Sequence, residues 1–178
     1  MAILDILTYP EKSLSRPSTA VDTIDDEIVK LTQDMGDTMF DAPGVGLAAP
    51  QTGVNKRIIV YDTNAGNPDD DGSNPAYAAL INPRIVASSG NITSDQEACL
   101  SVANYSADVK RYEKVAVKAL NIKGEAIEFE AKGLVAVIMQ HEIDHLDGIL
   151  FIDRISRLKR AMYKKKLAKK RTAPWEKK

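Results

Sequence analysis

The segment LVAVIMQHEIDHLDG, residues 134–148, predicts more about the architecture of this chain than any other stretch. Its apolar residues recur every three or four positions and Gly148 follows them, which predicts a helix over residues 134–147 that ends at this glycine. His141 and His145 are four residues apart, so both imidazoles lie on one face of that helix. Three apolar residues continue this face towards the start of the helix: Leu134, Val137 and Ile138. We therefore expect the two histidines to lie on a buried stripe.

Two histidines at this spacing, with a glutamate after the first, are typical of a helix that binds a metal ion and uses the glutamate as general base. The general base here would be Glu142. A catalytic metal site usually has a third protein ligand, but the chain has no other histidine, and Glu176 is the only glutamate that follows Glu142. Asp147 and Asp153 remain open as third ligands. Elimination favours the single cysteine, Cys99, because a thiolate is a good metal ligand.

The composition is that of an ordinary globular domain, with 178 residues of which 44% are hydrophobic and 28% charged. It excludes a disordered chain, a collagen-like repeat and a coiled coil, and no stretch has the ~20 apolar residues of a membrane span. The single cysteine cannot form an intramolecular disulfide, and the N-terminus carries Asp5 in an apolar run with no basic segment before it. These features predict a cytoplasmic protein with no membrane partner.

Charge is distributed unevenly along the chain, although the net charge is only −1. Residues 156–178 contain eleven lysines or arginines and one acidic residue. Residues 1–155 contain thirteen lysines or arginines and twenty-four acidic residues. We therefore divide the chain into a single catalytic domain, residues 1–155, and a basic extension, residues 156–178. Leu158, Met162 and Leu167 have near-helical spacing, which predicts a basic amphipathic helix with a frayed end. Such a helix is either a solvated surface or a contact for a polyanion such as RNA.

The order of the remaining elements indicates an α+β fold. Residues 24–40 carry apolar side chains at helical spacing, with Thr23 as the expected N-cap, and residues 41–53 are rich in glycine and proline and expected to be irregular. Strands are predicted at residues 57–61, 78–81, 84–87, 114–120 and 126–131, the last two as a hairpin. We expect antiparallel or mixed sheets packed around a central metal-binding helix, with one helix before the sheets and the basic helix at the C-terminus.

Three segments together resemble the peptide deformylases, the metal hydrolases that remove the formyl group from N-formylmethionine on new polypeptides. The family pattern is GxGxAAxQ, EGCLS and HExxH. This chain has, in the same order, GVGLAAPQ at Gly44–Gln51, EACLS at Glu97–Ser101 and QHEIDHLDG at Gln140–Gly148. The resemblance covers the chain from about Leu4 to about Leu158. The basic extension resembles the long C-terminal helix of the longer bacterial form, which implies that it docks on the ribosome.

The resemblance implies a role for each matching residue. Three residues would bind the metal: Cys99, His141 and His145. Glu142 would act as general base and then as acid, while Gln51 and the backbone N–H of Leu100 would stabilise the oxyanion. Five residues would contact the peptide or its methionine side chain: Val45, Gly46, Leu134, Val137 and Ile138. The family implies Fe²⁺, with Zn²⁺, Ni²⁺ or Co²⁺ able to replace it, although donor chemistry alone would favour Zn²⁺. N-formylmethionyl nascent peptides would be the substrates, and no DNA partner is expected.

The chain departs from the family pattern at four positions in and after the second motif. Ala98 stands where the family has glycine, and Ala103, Ser106 and Lys110 stand where relatives often have proline, arginine and proline. If residue 98 requires a positive φ, alanine would cost roughly 1 kcal/mol there, and its methyl group would crowd the substrate. Two rival interpretations stay open. One is a different hydrolase of the HExxH type, such as a metallopeptidase; the other is a ribosome- or RNA-binding relative without activity.

Overall fold

The computed structural model of the chain describes residues 2–70 and 73–172. Within these ranges the α-helices are α1 (Asp26–Asp41), α2 (Gly133–Leu146) and α3 (Arg157–Thr172). The strands are β1 (Gly46–Ala48), β2 (Ile58–Asp62), β3 (Tyr77–Ser89), β4 (Ile92–Cys99), β5 (Val102–Arg111), β6 (Lys114–Leu120) and β7 (Ala126–Lys132). Short 3-10 helices span Lys12–Ser15, Ala49–Thr52 and Phe151–Asp153.

The strands form two antiparallel sheets. The larger sheet has the strand order β1-β2-β3-β6-β7, and β4 pairs with β5 as a separate hairpin. The predicted hairpin of β6 and β7 is present, with Lys114 opposite Lys132 and Leu120 opposite Ala126. This confirms the α+β class with antiparallel sheets that the sequence predicts. The β4–β5 hairpin was not predicted, and it carries the second motif.

Helix α1 covers almost the whole predicted range, but its cap differs from the prediction. The side chain of Asp25 accepts a hydrogen bond from the backbone N–H of Ile28 at 3.0 Å, so Asp25 is the N-cap and the prediction of Thr23 is wrong. An acid serves well here because its charge also interacts favourably with the helix dipole. Met35 and Met39 are fully buried on the inner face of the helix.

Strand β3 runs from Tyr77 to Ser89, so the predicted interruption at Asn82-Pro83 is wrong. Asn82 has a left-handed backbone with φ of 52°, and the register shifts between Ile81 and Arg84. Its side chain accepts a hydrogen bond from the N–H of Val21 at 2.8 Å and donates one to the Val21 carbonyl at 2.9 Å. These bonds hold a bulge in place, which lets the strand continue past the proline.

The glycine- and proline-rich segment at residues 41–53 is more regular than predicted. It contains strand β1, which pairs with β2, and a 3-10 helix that ends at Gly53 in a left-handed conformation with φ of 86°. Helix α2 contacts both β1 and this 3-10 helix. The pairing therefore brings Gly46 and Gln51 to the helix that carries the histidines.

Helix α2 is buried from Ala136 to Leu146, so the stripe predicted for the histidines is part of a more extensive buried surface. Ile138 and Met139 belong to a core cluster with Val115 and Val117 of β6. The helix ends as predicted, since Gly148 has φ of 73° and its N–H bonds to the carbonyl of His145. Burial on several sides fixes the directions of the polar side chains on this helix.

Helix α3 is packed on one side and basic on the other. Tyr163 is 5% exposed, and its ring lies 6.0 Å from the ring of Tyr9 and 4.6 Å from that of Tyr105. Leu158 and Met162 are 71% and 64% exposed, so the prediction that they form the apolar face is wrong, and Tyr163 and Leu167 form the packed side. The inner side of α3 thus contributes to the core of the residues before it. Within the described part of the chain, none of the helices combines the length and apolarity needed to cross a bilayer.

Candidate metal centre

Cys99, His141 and His145 converge at one point between strand β4 and helix α2. Each offers one donor atom, and the three atoms lie within 4.8 Å of one another. Cys99 Sγ lies 3.2 Å from His145 Nε2, and the two imidazole rings meet edge to face at 5.0 Å between centroids. One thiolate and two imidazoles are ligands that zinc and iron both accept, and three protein ligands leave a coordination position open. The donor set therefore fits a catalytic transition metal.

The two aspartates left open by the sequence are engaged elsewhere. Asp147 Oδ1 accepts a hydrogen bond from Arg57 Nη1 at 2.7 Å. Asp153 accepts one from the backbone N–H of Leu150 at 3.0 Å and forms an ion pair with Arg160. Neither belongs to the group of converging donors.

Glu97 supports the first histidine. Its Oε1 lies 2.8 Å from His141 Nδ1, which directs the other ring nitrogen, Nε2, towards a metal. Arg111 donates to the same carboxylate through Nη2 at 2.6 Å and through Nε at 3.2 Å. Burial raises the pKa of Glu97, but the hydrogen bonds with His141 and Arg111 outweigh it and lower the pKa to about 2. The carboxylate is therefore held ionised at neutral pH.

A buried network extends from Glu97 away from the three converging donors. Arg111 Nη1 donates to Asp144 Oδ2 at 2.6 Å, and Arg154 donates to both oxygens of Asp144. Glu97, Arg111 and Asp144 are each at most 7% exposed. Moving one partner out of a buried ion pair would leave an uncompensated charge, which is strongly unfavourable. The ion pairs therefore hold these three side chains in fixed positions. The sequence analysis did not predict this network. The available signal was the presence of an acidic residue inside two motifs, Glu97 in EACLS and Asp144 in HEIDH.

Glu142 lies beside the three donors and is only 4% exposed. Burial raises the pKa of its carboxyl to about 7, which is well placed for taking and returning a proton near neutral pH. Its Oε2 is buried and has no hydrogen-bond partner within the described residues. A Cβ built on Gly46 would lie 2.4 Å from Glu142 Oε1, so the glycine leaves the space that this carboxylate fills.

Gln51 is buried and points its amide at the cysteine. Its Oε1 accepts a hydrogen bond from the N–H of Ala48 at 2.8 Å, which fixes which end of the amide faces the site. Its Nε2 lies 3.1 Å from Ser101 Oγ and 3.7 Å from Cys99 Sγ. The N–H of Ser101 also donates to the sulfur at 3.4 Å, and such donors stabilise a thiolate. Ser101 is fully buried and was not predicted as a site residue.

A cavity of about 400 Å³ opens onto these groups. Its lining includes ten of the eleven site residues predicted from the sequence: Val45, Gly46, Gln51, Cys99, Leu100, Leu134, Val137, Ile138, His141 and Glu142. His145, which is 1% exposed, lies behind them. Val45 and Leu134 are nearly half exposed, whereas Val137 and Ile138 are buried. The cavity therefore has an apolar part beside the polar groups.

The backbone strain considered for Ala98 is absent. Among the described residues, the non-glycine positions with positive φ are Asn82, Gln96 and Asn104, so Ala98 is not one of them. Gln96 has φ of 50° and is held by Asp108, whose Oδ1 accepts from its backbone N–H and its side-chain amide at 3.1 Å each. Ala98 itself is exposed and lines the cavity, so its methyl group faces the substrate side.

Comparisons with known proteins agree on one family. A family model described as polypeptide deformylase matches residues 3–161. A peptide deformylase of Thermodesulfovibrio yellowstonii is 47% identical over 171 residues, which is 96% of this chain and 100% of that protein. The peptide deformylase from Legionella pneumophila, known from a crystal structure, is 42% identical and superposes with a TM-score of 0.85 over 99% of this chain and 100% of that one. One from Ehrlichia chaffeensis in complex with actinonin has 37% identity and a TM-score of 0.87, covering 97% and 100%.

Proposed function

Since the chain belongs to the peptide deformylase family, whose members remove the formyl group from N-formylmethionyl peptides, we propose a role in that reaction for each residue at the cavity. The enzyme is a metal-dependent hydrolase that releases formate and a free amino terminus. The observation that carries the assignment of roles is the convergence of three metal donors beside a buried glutamate at one cavity.

Cys99, His141 and His145 hold the metal, and α2 is the central metal-binding helix of the fold. When bound, the metal supplies Lewis-acid activation of the water and of the formyl oxygen. We propose Fe²⁺ as the resident ion, with Zn²⁺, Ni²⁺ or Co²⁺ able to replace it. The donor set is compatible with all four ions, because thiolate and imidazole bind each of them, and membership of the family is what favours Fe²⁺. Metal analysis of protein purified without oxygen tests the identity of the ion independently of activity.

Glu142 takes a proton from the attacking water and returns it to the amine nitrogen as the carbon–nitrogen bond breaks. Its burial beside the three converging donors supports this shuttle, because a carboxylate held next to the reacting atoms can exchange a proton with them directly. Gln51 Nε2 and the N–H of Leu100 stabilise the negative charge that develops on the formyl oxygen. The fixed direction of the Gln51 amide supports that role, because a preorganised donor needs no rearrangement during the reaction.

The substrate peptide lies along the cavity with its methionine side chain against Leu134, Val137 and Ile138. Val45 and Gly46 contact the peptide from the opposite wall, where β1 is the edge strand of the larger sheet among the described residues. An edge strand of this kind offers hydrogen bonds that do not depend on the peptide's sequence. The arrangement therefore suits an enzyme that must accept the amino termini of many different polypeptides.

The ligand assignment is tested by the metal content of single variants. Cys99→Ala and His145→Ala should lose bound metal, because each removes one of three protein ligands. Glu142→Ala is the matched control, since it alters the same site without removing a ligand and should retain metal. Full metal content in Cys99→Ala would refute this ligand set and favour an aspartate as the third ligand.

We further propose that the basic extension, residues 156–178, docks the enzyme on the ribosome in the cytoplasm. The exposed lysines of α3 support this, because such a surface binds RNA through its phosphates. Truncation after Ile155 would remove the buried Tyr163 and disturb the core, so charge reversal is the sharper test. Lys165→Glu with Lys166→Glu should weaken ribosome binding and leave formate release from free peptides unchanged.

The control for this test reverses two exposed lysines outside α3 and outside the segment that packs on it, Lys30→Glu on α1 with Lys123→Glu in the turn after β6. It changes the net charge by the same amount and should leave binding to ribosomes unaltered. Equal binding by the helix variant and the control at physiological salt would contradict the docking proposal.

A further inference from the structure

A second and larger cavity, of about 550 Å³, lies against another face of α2. From this helix it is lined by Gln140, Ile143, Asp144 and Asp147, and it shares no lining residue with the substrate cavity. Its volume lies within the range of roughly 300–1,000 Å³ that is typical of ligand sites. None of the roles proposed above uses it.

Positive charge dominates the lining of this cavity. Five cationic residues contribute to it: Arg57, Arg84, Lys110, Arg111 and Arg154. The two acids that line it, Asp144 and Asp147, already accept from Arg111, Arg154 and Arg57. Arg84 and Lys110 form no ion pair within the described part of the chain and are both exposed. Arg84 and Lys110 are therefore two cations without a counter-charge at the cavity, whereas Arg57, Arg111 and Arg154 are paired with the two aspartates.

The chemistry of these groups fits a phosphate. The planar guanidinium of an arginine matches two phosphate oxygens, and a lysine adds a point charge with free donors. Tyr112, which is 49% exposed, adds an aromatic ring beside them, and Asn91 adds an amide. An aromatic ring and an amide next to cations suit the organic part of a phosphate ester, above all a nucleobase.

Arg84 and Lys110 are the two cations of this lining that form no ion pair among the described residues, so they are available to a ligand. We propose that this basic cavity, lined by Arg84, Lys110, Tyr112 and Asn91, binds the phosphate of a nucleotide or of an RNA chain. The same cations would bind the phosphate of either ligand, the nucleotide or the RNA. A free nucleotide would place one phosphate between the two cations, whereas RNA would bring a phosphodiester to the same position from outside.

The test uses the full-length, zinc-loaded enzyme, labelled with ¹⁵N and titrated with AMP, with pyrophosphate and with a short single-stranded RNA. Binding at the cavity should shift the backbone signals of Asn91 and Tyr112 with a common saturation curve. If AMP and pyrophosphate saturate the site and the RNA does not bind, the ligand is a small phosphate compound. If the RNA saturates the site, the ligand is a nucleic acid. Either result supports the proposal, and binding should weaken as salt is raised.

Arg84→Gln with Lys110→Gln should weaken binding roughly tenfold or more, because each change removes a charge-assisted contact. The matched control is Lys12→Gln with Lys123→Gln, which removes the same charge from exposed positions outside the cavity. Both double variants should release formate at the wild-type rate, so this test is separate from that of the deformylase assignment. Equal affinity in the cavity variant and the control, or no shift with any of the three probes, would overturn the proposal.

Discussion

Replacing Gly46 with alanine should disable the enzyme without removing its metal. The backbone of Gly46 is not left-handed, so alanine fits the strand, and the consequence is purely one of space. The added Cβ would lie 2.4 Å from Glu142 Oε1 and 2.9 Å from its Cδ. Restoring an ordinary contact requires the carboxylate to withdraw by about 1 Å. A displacement of that size in a reacting group costs roughly 10²-fold in rate, so we expect kcat/KM to fall by about that factor.

The assay is formate release from formyl-Met-Ala-Ser, with metal content and thermal unfolding measured on the same sample. Metal content should not change, because Gly46 contacts the glutamate rather than the three ligands. Gly36→Ala is the matched control, since its Cβ would lie 2.5 Å from the ring of Tyr77, remote from the cavity. Overpacking of this kind costs roughly 1–3 kcal/mol, so this variant should lose stability and keep its activity.

A Gly46→Ala variant with full activity, or one that loses metal and activity together, would refute the displacement of Glu142 as the cause. In the first case Glu142 does not need its observed position. In the second case the substitution disturbs the ligands, and the clash with the glutamate does not explain the effect. A loss of activity in Gly36→Ala at temperatures where it is folded would show that the assay reports general destabilisation.

Three further predictions concern the surroundings of the ligands. Glu97→Gln should lower metal affinity roughly 10–100-fold, because His141 loses the carboxylate that orients it; equilibrium competition with a chelator measures this, and unchanged affinity would contradict it. Gln51→Ala should retain metal and lower kcat roughly 10²–10³-fold if its amide stabilises the oxyanion; steady-state kinetics would expose a change confined to KM instead. Ala98→Gly should lower the unfolding temperature slightly, because glycine gives the unfolded chain more freedom and Ala98 has no left-handed strain to relieve; a stabilisation in a thermal melt would show that strain exists.

The sequence predicted the parts of the fold that depend on local periodicity. Helix α2 and the β6–β7 hairpin have regular patterns bounded by glycine, and both lie where they were expected. Strand β3 was predicted as two pieces because proline normally interrupts a strand. The side chain of Asn82 bonds to the backbone of Val21, 61 residues away, and no local pattern contains that contact.

The β4–β5 hairpin was missed for a related reason. The sequence of strand β4, ITSDQEAC, is mostly polar, and the strand contains a shift of register between Ser94 and Glu97, so its sequence lacks the apolar–polar alternation that identifies a strand. The buried ion pairs of Glu97 and Arg111 were also missed, because charged residues are expected at the surface unless a partner is known. The convergence of Cys99, His141 and His145 was easier to predict, since two histidines and one cysteine left few alternatives.

The most direct test of the account compares wild-type enzyme with Glu142→Ala, both purified without oxygen. Formate release from formyl-Met-Ala-Ser and bound metal are measured on the same samples. We predict formate release by the wild type, and equal metal with a loss of roughly 10²–10⁴-fold in rate for the variant, because a general base typically contributes that much. A wild-type protein that holds metal and releases no formate would contradict the assignment of activity. A variant that remains fully active would contradict the role of Glu142.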